Sequence, residues 1–355
     1  MGNLRRALNI FSSSPPPSAA QVYKGYEDTD FIKPIEEWFE LHAGVKPDFE
    51  APKTFSEKIQ WLKVYENIPL KAQLADKYDS RLFVKEKLGD SYLTSLYEVW
   101  TDSEDIDFNL LPDRFVLKCA HGGSWNLLVT DKSLVDEDEV FKNFDRYTRG
   151  NYAYFTGGYE LQYRDLEPRI LAEEYLENSA DGLCEYKVWC FNGEPEYIQF
   201  VSERGSGKQM AFFDTNWELM PFIFNGDRVA YPVPKPEVLD DLLYAAKTIC
   251  EGLAFTRVDF YLLNDGSLKF SEVDFTPVSG LNRWDPPEYD LIIGEKITLP
   301  EKYIMLRNKP EEEEENDSEE FNAADYDDLD GFEEINDDTD VDDFDDYDDE
   351  IEDED

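Results

Sequence analysis

Residues 257–275 read RVDFYLLNDGSLKFSEVDF, and two apolar runs in this stretch flank an Asp-Gly pair. An Asp-Gly pair between two such runs is a strong signal for a two-residue hairpin turn. With that pair as the loop, Asp259 lies opposite Glu272 and Arg257 lies opposite Asp274. The stretch therefore predicts an antiparallel strand pair with one charged face.

Side chains alternate along a strand, so these four charged residues share a face, and the other face is apolar and suited to a core. Two carboxylates directly opposite each other, with Cβ atoms about 4.5–5.5 Å apart, repel. A divalent cation removes that repulsion, and Mg²⁺ prefers carboxylate oxygens. The hairpin therefore predicts a metal site at Asp259, Glu272 and Asp274. The alternative is a surface hairpin whose acids Arg257 partly neutralises.

A second signal follows an apolar run that ends near Lys118, where a loop contains Gly122 and Gly123. A lysine at such a position can place its ammonium beside phosphates while loop N–H groups approach them. The alternative is a lysine that reaches solvent beside an ordinary hairpin loop. His121 in the same loop is assigned no acid–base role.

A third signal is the apolar run 169–176, which two adjacent acids, Glu173 and Glu174, interrupt. Strand alternation turns these acids to opposite faces, so one of them can reach a ribose hydroxyl while the neighbouring backbone contacts an adenine edge. An ordinary ion pair within the sheet explains them equally well. Lys187 lies in a further strand-like run and carries the same ambiguity.

The N-terminal part of the body is predicted to be helical. Thr54 and Glu57 form a capping-box pattern ahead of an amphipathic period. A second helix is predicted from about residue 70 to residue 88, and its charged residues are expected to lie on the solvated outer face. Those residues are Asp76, Lys77 and Arg81.

Short β-rich runs begin near residue 96 and are mixed with helical patterns, which favours an α+β fold over a doubly wound parallel sheet. The runs are 95–100, 114–119, 126–130, 169–176, 185–191 and 197–201, and a helical pattern covers 240–252.

The chain has 355 residues and a formal net charge of −47, which argues against a nucleic-acid partner. Residues 311–355 hold 28 of the 81 carboxylates and no Lys or Arg, so this segment is predicted to be a disordered tail. The tail is expected to be solubilising; the alternatives are that it mimics a polyanionic substrate or that it binds a basic protein partner.

The first residues lack the long apolar stretch of a signal peptide, and no run of about 18 apolar residues predicts a membrane span. The four cysteines form no CxxC pair and are expected to be reduced core thiols. We therefore expect a cytoplasmic protein. Two histidines leave little material for a His-rich zinc site or a Ser-His-Asp triad.

Taken in order, these signals resemble the ATP-grasp signature. More narrowly, the segments 54–63, 75–78, 115–122 and 186–195 resemble the TupA-like ATP-grasp family, and the resemblance covers roughly residues 30–303. That family is associated with bacterial surface polysaccharide synthesis, and some of its members are labelled glycosyltransferases.

The resemblance implies an ATP-grasp fold of antiparallel sheets with helices, which binds ATP and Mg²⁺. It implies that Lys118 and Lys187 contact phosphates, that Gly122 and Gly123 cover them, and that Arg257 stabilises the transferred phosphoryl group. It also implies that Asp259, Glu272 and Asp274 of the hairpin bind the metal. In the family, the last residue of this metal motif is more often Asn, where this chain has Asp274. The residues that it implies for binding adenine and ribose are Glu173, Glu174, Tyr175 and Leu176.

The predicted organisation is an N-terminal tail (1–22), a helical region (23–95), an ATP-grasp catalytic region (96–303) and an acidic tail (304–355). The leading hypothesis is an ATP-dependent ligase that joins an amine to a carboxylate through an acylphosphate, on a surface glycan or its precursor. The alternatives are a phosphotransferase, a glycosyltransferase that uses a nucleotide-sugar, and a non-catalytic ATP-binding interaction protein.

Overall fold

The structure, a computed structural model, describes residues 26–155, 157–176, 184–202, 209–281 and 283–305. The predicted N-terminal tail and nearly all of the acidic tail lie outside the described residues. Within them the chain forms an α+β fold, as predicted.

The helices and strands follow one another in a mixed order. The α-helices are α1 (Ile32–Ala43), α2 (Phe55–Tyr65), α3 (Pro69–Ala75), α4 (Lys77–Leu88), α5 (Glu137–Arg149), α6 (Tyr152–Phe155), α7 (Leu239–Ile249) and α8 (Tyr289–Gly294). Short 3-10 helices cover Asp28–Phe31, Asp90–Tyr92, Ser103–Asp105, Phe108–Leu110, Lys132–Leu134, Leu161–Tyr163 and Pro277–Gly280. The strands are β1 (Leu96–Trp100), β2 (Phe115–Cys119), β3 (Asn126–Val129), β4 (Ile170–Glu174), β5 (Glu185–Phe191), β6 (Glu194–Ser202), β7 (Gln209–Asp214), β8 (Ile223–Phe224), β9 (Asp227–Arg228), β10 (Phe255–Leu262), β11 (Leu268–Asp274) and β12 (Trp284–Asp285).

Two sheets carry the architecture. A four-stranded antiparallel sheet has the order β1-β4-β2-β3. A six-stranded sheet has the order β11-β10-β5-β6-β7-β9 and is antiparallel except for its short β7–β9 edge. The predicted strand runs correspond to β1–β6, and the predicted helix 240–252 corresponds to α7.

The hairpin β10–β11 has the predicted pairs but a different turn. Three residues separate Leu263 from Ser267, and the N–H of Leu263 donates to the carbonyl of Ser267 over 2.9 Å. The register then shifts at a bulge where Ser271 is the extra residue. The predicted two-residue turn is therefore wrong, whereas the predicted opposition of Asp259 and Glu272 is confirmed, because the bulge cancels the extra loop residue.

The predicted second helix is two helices. The chain turns at Asp76, whose Oδ1 accepts hydrogen bonds from the N–H groups of Tyr78 (2.7 Å) and Asp79 (2.9 Å) and so caps α4. The N–H of Lys77 donates to the carbonyl of Ala120 over 2.9 Å, which fixes the start of α4 against the loop after β2. As a result, the first turns of α4 face the sheets rather than the solvent.

The core is aromatic where the N-terminal helices meet the six-stranded sheet. Trp189 is fully buried on β5, and its ring centroid lies 5.6 Å from that of Phe55 on α2 and 5.5 Å from that of Phe255 on β10. The capping box of α2 forms as predicted, with the N–H of Glu57 donating to Thr54 Oγ1 over 3.1 Å. A single cluster of buried residues thus joins the helical region to both sheets.

The cysteines of the described segments are free thiols, as predicted, and three of the four are buried. Among the residues that the structure describes, no helix has both the length and the apolar character that crossing a bilayer requires.

Replacing Gly294 by Ala tests the contact between α8 and the start of α2. A Cβ at this position would lie 2.4 Å from the carbonyl oxygen of Lys53 and 2.5 Å from the backbone nitrogen of Phe55, so two backbone segments would have to separate. We expect Gly294→Ala to lower the free energy of unfolding by about 3 kcal/mol in urea denaturation. The control is Gly44→Ala, where φ is +73° but nothing lies within 4 Å, with an expected loss of about 1 kcal/mol. Equal losses would contradict the close contact.

Candidate active site

Strand β10 lies between β5 and β11, and one of its faces carries charged side chains. Arg257 and Asp259 are almost completely buried, and Arg257 donates to both oxygens of Asp259 over 2.9 and 2.8 Å. Lys187 on β5 donates to Asp259 Oδ2 over 3.0 Å, and Arg257 Nη1 lies 2.9 Å from Asp274 Oδ2. Arg257 therefore bridges two of the predicted metal ligands, Asp259 and Asp274. The surface-hairpin alternative also pairs Arg257 with these acids, but it does not account for the burial of Arg257 and Asp259.

Lys77, at the start of α4, joins this face to the glycine loop. Its Nζ lies 3.0 Å from Glu272 Oε2 and donates to the carbonyl oxygen of Gly122 over 3.0 Å. The side chain is only 13% exposed. The prediction that Lys77 is a solvated charge on an outer face is wrong, because the break at Asp76 turns the start of α4 towards the sheets.

Arg81, one turn later on α4, was also predicted to be solvated and is instead buried. Arg81 Nη1 lies 2.9 Å from Glu173 Oε1, while Lys118 Nζ lies 3.2 Å from Glu173 Oε2. Burial alone would raise the pKa of Glu173, but the charges of Lys118 and Arg81 outweigh it and lower that pKa. Glu173 thus holds Lys118 in place on the four-stranded sheet, and its contact with a ribose stays a prediction.

The rest of the predicted adenine and ribose segment lies at the end of β4. Glu174 accepts hydrogen bonds from the N–H (3.2 Å) and hydroxyl (2.8 Å) of Ser95. The guanidinium of Arg114 lies 4.5 Å from the ring centre of Tyr175. Leu176 follows as the last described residue before the gap at 177–183.

The glycine loop is packed against aromatic rings. A Cβ on Gly122 would lie 2.7 Å from Cε3 of Trp125, and one on Gly123 would lie 2.5 Å from the hydroxyl of Tyr152. Close approach therefore requires glycine at both positions. His121 is buried beside them, with Nε2 3.1 Å from the carbonyl oxygen of Tyr147.

The three predicted metal ligands share one face, and their carboxylate oxygens are the donors that Mg²⁺ prefers. Each, however, is engaged by a cation: Asp259 and Asp274 by Arg257, and Glu272 by Lys77. Within the described ranges no three Asp, Glu, His or Cys side chains are arranged to hold a metal ion. The donor chemistry thus fits a metal, while the side-chain arrangement is that of an ion-pair network.

The two acids of β11 titrate differently. Burial would raise the pKa of Glu272, but the charges of Lys77, Lys187 and Arg257 together lower it to about 2. At Asp274, burial outweighs the attraction of Arg257 and raises the pKa to about 6. Glu272 is therefore ionised throughout the neutral range, whereas Asp274 takes up a proton in mild acid.

Two sheets thus present lysines, carboxylates, an arginine and a glycine loop to one another across the start of α4. The chain belongs to the TupA-like ATP-grasp family, whose match covers residues 57–298. A search of curated proteins gives no match.

Several solved structures match part of this chain. The D-alanine–D-alanine ligase from Bacillus anthracis complexed with ATP is 14% identical over 58% of this chain and 56% of that chain, with a TM-score of 0.36. The N5-carboxyaminoimidazole synthetase from Staphylococcus aureus complexed with ADP is 15% identical over 66% of this chain and 54% of that chain, with a TM-score of 0.36. The ATP-grasp ligase PsnB complexed with its minimal precursor is 13% identical over 59% and 55%, with a TM-score of 0.34. The chain spans little more than half the length of each, and at such scores these likenesses assign no substrate.

His121 predicts how stability depends on pH. Burial lowers the pKa of His121 to about 4, against about 6.5 in an unfolded chain. Between these values the unfolded chain binds a proton that the folded chain does not, so the free energy of unfolding falls as pH falls from 6.5 to 4, by up to about 3 kcal/mol.

The His121→Gln variant should have a shallower dependence than the unsubstituted protein in urea denaturation at pH 6.5, 5.5 and 4.5. His42→Gln, a substitution of the exposed histidine, is the matched control, and His121→Gln should have a shallower dependence than this control as well. If His121→Gln lost as much stability in acid as the unsubstituted protein, the buried neutral histidine would be ruled out as the cause.

Proposed function

We propose that this protein is an ATP-dependent, Mg²⁺-requiring ATP-grasp ligase that joins an amine to a carboxylate through an acylphosphate. The observation that carries the proposal is the position of Lys77, which touches the glycine loop through Gly122 and the acidic hairpin through Glu272. Elements from the two sheets therefore meet at a single cationic side chain, where a nucleotide can contact both.

Charge supports a polyphosphate ligand that is accompanied by metal. Within the described segments, the ion pairs of the site join five cations to five carboxylates. The cations are Lys77, Arg81, Lys118, Lys187 and Arg257, and the carboxylates are Glu173, Glu185, Asp259, Glu272 and Asp274. ATP adds about four negative charges to a site that is already balanced, and in phosphoryl transfer metal ions neutralise such charge. This balance favours Mg²⁺-bound ATP over free ATP.

The proposed roles follow from where the side chains lie. Lys118 and Lys187 contact phosphates from opposite sheets, and Gly122 and Gly123 bring backbone N–H groups close to them. Arg257, held by two carboxylates, is oriented to stabilise charge on the transferred phosphoryl group.

The remaining roles belong to two acidic segments. Residues 173–176 hold adenine and ribose. Asp259, Glu272 and Asp274 hold Mg²⁺, which would supply further charge stabilisation when bound. For this, Lys77 and Arg257 must share the carboxylate oxygens that they now occupy.

The acceptor is proposed from the family resemblance alone, as a surface glycan or its precursor. A phosphotransferase would use the same nucleotide contacts, and a glycosyltransferase or a non-catalytic ATP-binding protein remains an alternative. A cytoplasmic location, the division at residue 95 and a basic partner for the acidic tail also stay predictions.

The decisive variant is Glu272→Gln, which keeps the side-chain shape but removes the charge opposite Asp259. In the unsubstituted protein, ATP with Mg²⁺ should raise the melting temperature. A ligand that binds only the folded state and is present at a hundred times its dissociation constant raises the free energy of unfolding by about 2.7 kcal/mol. ATP with a chelator should give a smaller shift. In Glu272→Gln the extra shift due to Mg²⁺ should be lost, as measured by differential scanning fluorimetry.

Glu194→Gln is the matched control, because Glu194 lies exposed on the same sheet and pairs with Lys247. It should respond to ATP and Mg²⁺ as the unsubstituted protein does. A full Mg²⁺-dependent shift in Glu272→Gln would remove Glu272 from the metal site. A shift with a nucleotide-sugar and none with ATP would favour the glycosyltransferase.

A further inference from the structure

Lys63, near the end of α2, is a lysine that the nucleotide site does not use and that the fold nonetheless buries. Its side chain is 1% exposed. The ammonium donates to the carbonyl oxygens of Gly158 (2.6 Å) and Ser279 (2.8 Å) and to Gln60 Oε1 (2.9 Å). Burying an ammonium is costly unless all of its donors are satisfied, so this position calls for an explanation beyond packing.

Ser279, one of the residues that Lys63 contacts, lies in a strained turn shortly after β11. Val278 and Ser279 have φ values of +51° and +49°, and Gly280 follows at +79°. Positive φ at non-glycine residues is unfavourable and persists only where the surrounding structure enforces it.

The enforcement comes from two sides. From α2, Lys63 Nζ and Gln60 Nε2 both donate to the carbonyl oxygen of Ser279, the latter over 2.9 Å. From the 3-10 helix region near residue 161, the buried carboxylate of Glu160 accepts hydrogen bonds from the hydroxyl of Ser279 and from that of Thr276 (2.6 Å). The turn is also pressed onto α2, since a Cβ on Gly280 would lie 2.3 Å from Gln60 Nε2.

The strained turn is connected to the candidate active site by one further hydrogen bond. The N–H of Thr276 donates to Asp274 Oδ1 over 2.7 Å, and the other oxygen of Asp274 contacts Arg257. The position of Asp274 therefore depends on where Thr276 is held, and Thr276 is held by Glu160.

We propose that Lys63 is a positioning residue: with Glu160 it holds residues 276–280, including the left-handed turn at 278–280, and so fixes Asp274 and Arg257 for nucleotide binding. The inference rests on the proposed function for its last step alone. Burial lowers the pKa of Lys63 to about 7, and the charge of Glu160 opposes that shift. Lys63 and Glu160 are both buried and contact the turn from two sides.

The test compares Lys63→Met with Lys58→Met. Lys58 lies on the same helix and also donates to two backbone carbonyls, those of Gly294 and Ile297, each over 2.8 Å. Both variants thus lose the same kind of contact, but only one loses it at the turn. The readouts are amide hydrogen exchange of residues 275–281 in the full chain without nucleotide, and the dissociation constant of ATP with Mg²⁺ by calorimetry.

In Lys63→Met, exchange at 275–281 should be at least about tenfold faster, and ATP should bind at least about tenfold more weakly. In Lys58→Met, exchange should rise near 294–297, while 275–281 and the ATP dissociation constant should stay unchanged. If Lys63→Met does not fold, the second variant is Ser279→Ala, which removes only the hydroxyl that donates to Glu160. It should also speed exchange at 275–281 and weaken ATP binding, each to a smaller degree.

Unchanged exchange at 275–281 in these variants would overturn the proposal, and so would faster exchange with undiminished ATP affinity. Absence of ATP binding by the unsubstituted protein would instead overturn the proposed function. In that case the exchange comparison still decides whether Lys63 holds the turn.

Discussion

The ammonium of Lys77 is the contact on which the arrangement of the site depends. The four-stranded sheet presents Lys118 and the glycine loop, and the six-stranded sheet presents the acidic hairpin. Lys77 reaches both, through Gly122 and Glu272. It can do so because Asp76 ends α3 and caps α4, so the helix begins at the point where the sheets meet. A continuous helix from residue 70 to residue 88 would have no cap at Asp76, and Lys77 would not lie at the start of a helix.

Features that depend on local sequence were predictable. The capping box at Thr54, the runs that became β1–β6 and the opposition of Asp259 and Glu272 all follow from period, propensity and turn chemistry. The alternating apolar face of the hairpin is buried as the pattern indicates: Val258, Phe260, Val273 and Phe275 are each at most 3% exposed. The position of the charged groups on one face followed from the same alternation.

Features that depend on tertiary contact were not predictable. The sequence places Lys77 and Arg81 on a helix but does not say which neighbour that helix faces. Their carboxylate partners, Glu272 and Glu173, lie far along the chain, and Arg81 and Glu173 are 92 residues apart. Lys63 and Glu160 belong to no sequence motif that would mark them. The burial of Lys63 could be recognised only once its acceptors, the carbonyl oxygens of Gly158 and Ser279, were known. The ion pairing of the predicted metal ligands is likewise a property of the assembled site.

The hairpin combines an extra loop residue with a bulge at Ser271, and the two offsets cancel before the strand pair reaches Asp259. The loop itself would lose a residue without a slip, because a two-residue turn between Leu263 and Ser267 keeps every pair of the ladder. Its composition is limited at Gly266, where φ is +83°. An extra residue in β11 that no bulge absorbed would instead exchange the two faces of the strand beyond it. Acids would then enter the apolar core while apolar side chains faced Lys187. Ser271 is therefore an insertion that the hairpin tolerates because the bulge confines it to one position.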